Sequence, residues 1–205
     1  IYGNTNYYLS GNYKVYEPFK KVTFSNRMDN GFSVNSITDG LEGVSTFTYS
    51  NFTDFVPFNS VRTKPAYPLM LVRGPIKVIS NLKTEISGKL IGNISYTYSD
   101  AHTHLHGLGY LGFKKVTSSD AVSGVSRETL YTLEVPNESG IYSPWPSKTV
   151  LSKNSVLLST TESTMSALGG NTAKKCFLMV ETQSTVTDHI SGVVTNSNTT
   201  YNALL

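Results

Sequence analysis

Only one cysteine, Cys176, occurs in the 205 residues. A lone thiol can close no intrachain disulfide and build no thiolate zinc cluster. Chain size must therefore stabilise the fold, and a reducing compartment is compatible with such cysteine usage. Long apolar runs are missing too. Those around Leu69–Val72 and Phe177–Val180 fall far short of the roughly 20 residues that a helical bilayer crossing needs, so no stable membrane insertion is expected. Charge is sparse: Asp, Glu, Lys and Arg make up 15% of the residues, against about 25% in ordinary globular chains. The formal net charge is +3. Its basic residues are scattered singly or in pairs such as Lys20-Lys21, Lys114-Lys115 and Lys174-Lys175. Without a concentrated basic surface a dedicated nucleic-acid binder is disfavoured, although weak phosphate contact is allowed. The first residues, Ile1-Tyr2-Gly3-Asn4, carry neither methionine nor a signal-peptide pattern and read as a processed or trimmed end. A phosphate-cradling Gly-x-x-x-x-Gly-Lys-Ser/Thr motif and the Gly-x-Ser-x-Gly elbow are absent. No enzyme activity, catalytic residue or cofactor is expected.

What is plentiful is Tyr, Phe, Ser, Thr, Asn and Val, a mixture suited to pleated, half-buried strands. Period-two alternation recurs between turn signals. In Gly88–Tyr98, Leu90, Gly92, Ile94, Tyr96 and Tyr98 share one face, and Lys89, Ile91, Asn93, Ser95 and Thr97 the other. Further strands are expected at Tyr13–Tyr16, Val22–Phe24, Phe47–Tyr49, Leu69–Val72 continuing through Ile76–Ile79, Leu130–Val135, Val156–Ser159 and Cys176–Val186. Cys176–Val180 is apolar on both faces, which places it deep in the core. One modest helix is expected at Thr161–Leu168, which begins with Thr and Glu and stops at Gly169. Loops are expected at Asp29–Asn35, Ala101–Leu111 and Asn137–Ser147, and no internal repeat is apparent. The pattern predicts an all-β chain: an eight-stranded antiparallel β-sandwich over residues 13–191. Extended arms flank it, N-terminal over residues 1–12 and C-terminal over residues 192–205, both rich in Asn, Thr and Tyr.

The constellation nearest to chemistry is His102, His104 and His106. On an extended chain three imidazoles two residues apart project to one side, where they could bind a metal. The alternative is a loop of surface histidines. Their protonation near pH 6 would set like charges side by side and loosen a contact. Asp188-His189 could orient a serine nucleophile but reads better as a strand-end turn. Cys176, among apolar neighbours, would make a poor thiolate and is better placed in a core. Trp145, between Pro144 and Pro146 and near Tyr142, offers an aromatic platform for sugar or protein in an exposed loop, or an anchor for that loop.

Three segments carry a resemblance. Tyr67-Pro68-Leu69-Met70-Leu71-Val72-Arg73-Gly74-Pro75-Ile76-Lys77-Val78, followed by Ser87-Gly88-Lys89-Leu90, is one. Leu133-Glu134-Val135-Pro136 with Tyr142-Ser143-Pro144-Trp145 is the second, and Cys176-Phe177-Leu178-Met179-Val180 with Thr187-Asp188-His189-Ile190-Ser191-Gly192 the third. In this order they resemble jelly-roll coat proteins of picorna-like viruses, especially those infecting arthropods. Pro75 stands where that family usually has a small polar residue, and Tyr142 lies farther from Pro136 than its counterpart. The resemblance implies an eight-stranded jelly roll released from a polyprotein in the cytoplasm. It implies a capsid subunit of the virion that assembles with other capsid proteins and copies of itself into an icosahedral shell. Such a subunit has arms crossing to neighbours, weak contact with genomic RNA and loops open to a host receptor. The alternative function is a carbohydrate-binding or adhesin β-sandwich using Trp145 and Tyr142.

Overall fold

The computed structural model describes residues 19–27, 31–55, 65–72, 74–134, 141–171 and 176–201. The expected strand Tyr13–Tyr16 and the N-terminal arm lie outside them. The chain is nearly all strand: β1 Phe19–Arg27, β2 Gly31–Asp39, β3 Gly43–Asn51, β4 Leu69–Leu71, β5 Lys77–Ile86, β6 Lys89–His104, β7 Gly109–Asp120, β8 Val125–Glu134, β9 Tyr142–Lys153, β10 Val156–Asn171, β11 Cys176–Asp188 and β12 Val194–Asn198, with one short helix, α1 Phe52–Phe55. All pairings are antiparallel, and the order follows the chain: β1-β2-β3-β5-β6-β7-β8-β9-β10-β11-β12, with β4 beside β6. Among the described residues the sheet thus has twelve strands, where eight were expected. Its neighbours are successive hairpins, whereas a jelly roll interleaves distant strands.

Several expectations need correction. Thr161–Leu168 is the middle of β10, not a helix. Its Thr and Ser residues favour the pleat, and Glu162, Ser163 and Thr164 alternate in exposure as strand residues do. The expected loops are largely strand: Gly31–Asn35 belongs to β2, Ala101–His104 to β6, and Tyr142–Ser147 to β9. The supposed C-terminal arm returns to its own sheet, because Val194–Asn198 pairs with Gln183–Thr187 as an edge strand. Nor is β11 deep in a core, since Leu178 is 65% exposed although Val180 is buried.

The sheet divides at one end. β7 and β8 pair from Ser119/Ser126 only as far as Lys115/Leu130. Beyond that point Tyr110 and Phe113 stay with β6, while Tyr131, Thr132 and Glu134 stay with β9. Two leaves result, and the Tyr142 ring of one lies 4.6 Å from the His104 ring of the other. α1 covers the first leaf, with Phe52 packing on Phe113 at 5.2 Å and Phe55 on Tyr98 at 5.8 Å. In the second leaf Ile141 and Trp145 pack with Met165, Ala167 and Met179. The buried side chains Phe52, Leu71, Ala101, His102, His104, Leu133, Ile141, Trp145 and Val180 all belong to this forked end.

The opposite end is thin. There the hairpins turn, and Leu41, Ile86, Leu90, Ile91, Val122, Val156, Leu157, Ile190, Val193 and Val194 are exposed. Cross-strand ion pairs, Lys115–Glu128 at 2.6 Å and Lys148–Glu162 at 2.7 Å, join strands between the two ends. Being exposed, each adds about 1 kcal/mol at most.

Candidate functional site

The histidines sit at the mouth of the fork. Asp100 has a φ of 52°, inside the left-handed region, and after it both Ala101 and His102 are buried. His102 Nδ1 lies 2.6 Å from the Asp100 carbonyl. A carbonyl only accepts, so this nitrogen carries the proton. His104 is the reverse case: its Nδ1 accepts the His106 main-chain N–H at 3.2 Å, so that nitrogen is unprotonated. His106 lies in the exposed turn over residues 105–108, where its Nε2 hydrogen-bonds the Tyr67 hydroxyl. The His104 and His106 rings are 5.9 Å apart. The run is therefore not a loop of surface histidines: His102 and His104 are buried, and no group of three or more His, Cys, Asp or Glu placed to hold a metal ion is found among the described residues. His102 Nδ1 and His104 Nδ1 are committed to the backbone instead.

Tyr142 and Trp145 do not form an open platform. Trp145 is 5% exposed and its indole N–H has no hydrogen-bond partner among the described residues. Tyr142 is half-buried against His104, and burial, then the neighbouring Glu134 carboxylate, raise its phenol pKa. Burial, then Tyr98, lift the Tyr110 phenol to about 12. These phenols stay neutral at physiological pH and act as hydrogen-bonding rings. Cys176 begins β11.

At the thin end the sheet displays a pattern missed in the sequence. Asp39-Gly40-Leu41-Glu42-Gly43-Val44, Asp120-Ala121-Val122-Ser123-Gly124-Val125 and Asp188-His189-Ile190-Ser191-Gly192-Val193 share the form Asp-x-aliphatic-Ser/Glu-Gly-Val. Each closes a hairpin: β2–β3, β7–β8 and β11–β12. In each the Asp carboxylate accepts the N–H of the aliphatic residue two positions on, from Leu41 at 2.8 Å, Val122 at 3.1 Å and Ile190 at 2.8 Å. In the second and third turns the Ser hydroxyl also accepts the Val N–H, at 3.3 Å and 3.4 Å. Gly124 and Gly192 have φ near 71° and 72°, the left-handed conformation that favours glycine. The Ser123 hydroxyl, then the Asn93 and Val122 N–H groups, lower the Asp120 pKa to about 2. The Ser191 and Ile190 N–H groups likewise lower that of Asp188. Asp188 thus caps this turn, and His189 Nε2 lies 2.8 Å from the Thr160 hydroxyl.

These turn contacts explain Asp, Ser and Gly but not the aliphatic residue between them. Leu41, Val122 and Ile190 are 75%, 47% and 71% exposed. Lateral bonds link the four hairpins from β5–β6 to β11–β12 into a row: Asn93 N–H to the Asp120 carboxylate at 2.9 Å, Asn154 N–H to the Gly124 carbonyl at 2.9 Å, and His189 N–H to the Leu158 carbonyl at 2.8 Å. Sequence reading overlooked the repeat because its copies are short and widely separated; aligning the Asp and Gly turn residues would have found it.

No protein-family model matches this chain, and no curated protein matches it.

Proposed function

We propose that this chain is a structural subunit that completes its fold by associating with copies of itself and with sister chains. One observation carries the reading: among the described residues eight hydrophobic side chains are buried, whereas eighteen large ones are exposed. Exposed apolar surface on this scale marks an interaction surface. The outer side of β12 adds a backbone edge, open among the described residues, on which a further strand could pair.

The specific form we favour is a coat subunit of a picorna-like virus. Within it, association with other capsid proteins builds an icosahedral shell around RNA, and many weak contacts sum to a stable particle. Support comes from the three ordered segments and the all-β class; the sequential strand order supports an assembling sheet but not the jelly roll. The carbohydrate-binding alternative loses its main feature with Trp145 buried.

Sedimentation velocity over a range of concentrations, with negative-stain imaging of the same samples, tests the proposal. Concentration-dependent oligomers are expected, and uniform spherical particles are expected once sister chains are present. A cooperatively folded monomer at every concentration would overturn the assembly reading. Oligomers that never close into particles, even with sister chains, would overturn its coat-protein form alone.

A further inference from the structure

The three Asp-x-aliphatic-Ser/Glu-Gly-Val hairpins are not adjacent. β2–β3, β7–β8 and β11–β12 are separated in the sheet by the hairpins β5–β6 and β9–β10. Equivalent turns are thus four strands apart, or about 19 Å along the sheet at the usual strand spacing. Charge alternates with the same period. The three repeat hairpins place Asp39 and Glu42, Asp120, and Asp188 at their turns, whereas the intervening hairpins place Lys89 and Lys153 beside theirs. Glu85, on β5 just before the β5–β6 turn, is already paired with Lys83 at 2.9 Å. Apolar side chains are exposed on both kinds of hairpin: Leu41, Val122 and Ile190 on the acidic ones, and Leu90, Ile91, Val156 and Leu157 on the basic ones.

We propose that this row of turns is a self-complementary interface that docks on the same row of a second copy, offset by one hairpin, so that the acidic β2–β3 and β7–β8 turns seat against basic ones and β11–β12 lies beyond the overlap. A partner engaging more than one repeat must present matching features at the same interval, and the same row in another copy does so. Two copies related by a two-fold axis and shifted by one hairpin bring β2–β3 against β9–β10 and β5–β6 against β7–β8. The contact is isologous, the same patch serving on both sides. Unshifted, Asp would face Asp, so charge selects the offset. The lateral hydrogen bonds hold the row in place before contact, which reduces the entropy lost on docking. Carboxylates at three of the five turns disfavour an anionic membrane as the occupant.

This inference rests on the assembly reading, and the experiment separates the two. Sedimentation equilibrium would compare the full chain with the triple variant Leu41→Ser, Val122→Ser, Ile190→Ser and with the double variant Lys89→Glu, Lys153→Glu. Far-UV circular dichroism would check that all three are folded. The wild-type chain should self-associate, each variant should weaken association by about tenfold or more, and raised salt should weaken the wild type. If the wild type associates and both variants match it, the interface lies elsewhere and the assembly reading survives. A wild type that stays monomeric overturns both. Should the wild-type chain instead pellet with phosphatidylcholine vesicles and the triple variant not, the occupant is lipid and self-pairing is wrong.

Discussion

The forked end and the turn row are made from the same strands, yet they solve opposite problems. At the fork the β7–β8 seam opens, α1 covers one leaf, and Phe52, Leu133, Ile141 and Trp145 are buried. At the turn row no second layer lies over Leu41, Val122 or Ile190 among the described residues. Hydrogen bonds to Asp39, Asp120 and Asp188 fix the turns there instead. Packing stabilises one end and main-chain hydrogen bonding shapes the other. Residues of the first end should govern folding, and residues of the second should govern association.

Mutation can break this contrast. The largest effect is expected for Phe52→Ala, which removes a ring that is 1% exposed and should cost about 3–5 kcal/mol by urea denaturation. A loss below 1 kcal/mol would mean that the fork is not the core. Next comes His104→Leu, which strands the His106 N–H and should cost about 1–3 kcal/mol in the same assay, while His104→Asn, retaining an acceptor, should cost less. Equal losses would show that only ring packing counts.

Acid should act more weakly, and at the other end. Asp120 and Asp188 have folded pKa values below the usual carboxylate range, about 2 for Asp120. Their stabilisation is present above the unfolded value of roughly 4 and lost as pH falls through the folded values. Melting temperature should therefore decline between about pH 4 and pH 2, and Asp120→Asn with Asp188→Asn should flatten that decline. An unchanged slope in the double variant would assign acid sensitivity elsewhere. The smallest effect on folding is expected for Leu41→Ser, whose exposed side chain should change stability by no more than about 0.5 kcal/mol. A larger loss would mean that the turn row carries a core of its own.

Legibility in the sequence was uneven for physical reasons. The alternation in Gly88–Tyr98 marked β6 because nothing interrupts it. Thr161–Leu168 looked helical because an acid near its start and a glycine beyond its end satisfy helix-boundary rules, but pairing of β10 with β9 and β11 overrode that weak local preference. Trp145 looked like a loop residue because prolines flank it. Pro144 and Pro146 are nevertheless accommodated in β9, whose pairing with β8 shifts register nearby. The histidine run was visible, but its burial was not, since the covering Tyr142 is remote in sequence.

The sequence by itself determined the class of this protein: period-two alternation and β-branched residues make strands, and Asp, Asn and Gly make the turns between them. It also excluded a disulfide within these 205 residues, none of whose apolar runs is long enough for a helical membrane crossing. Only the tertiary structure decided the number and order of strands, the opening of the sheet around His104, and the alignment of three distant turns in one row. The reason is that alternation states which side chains share a face, whereas what covers that face depends on pairing between remote segments.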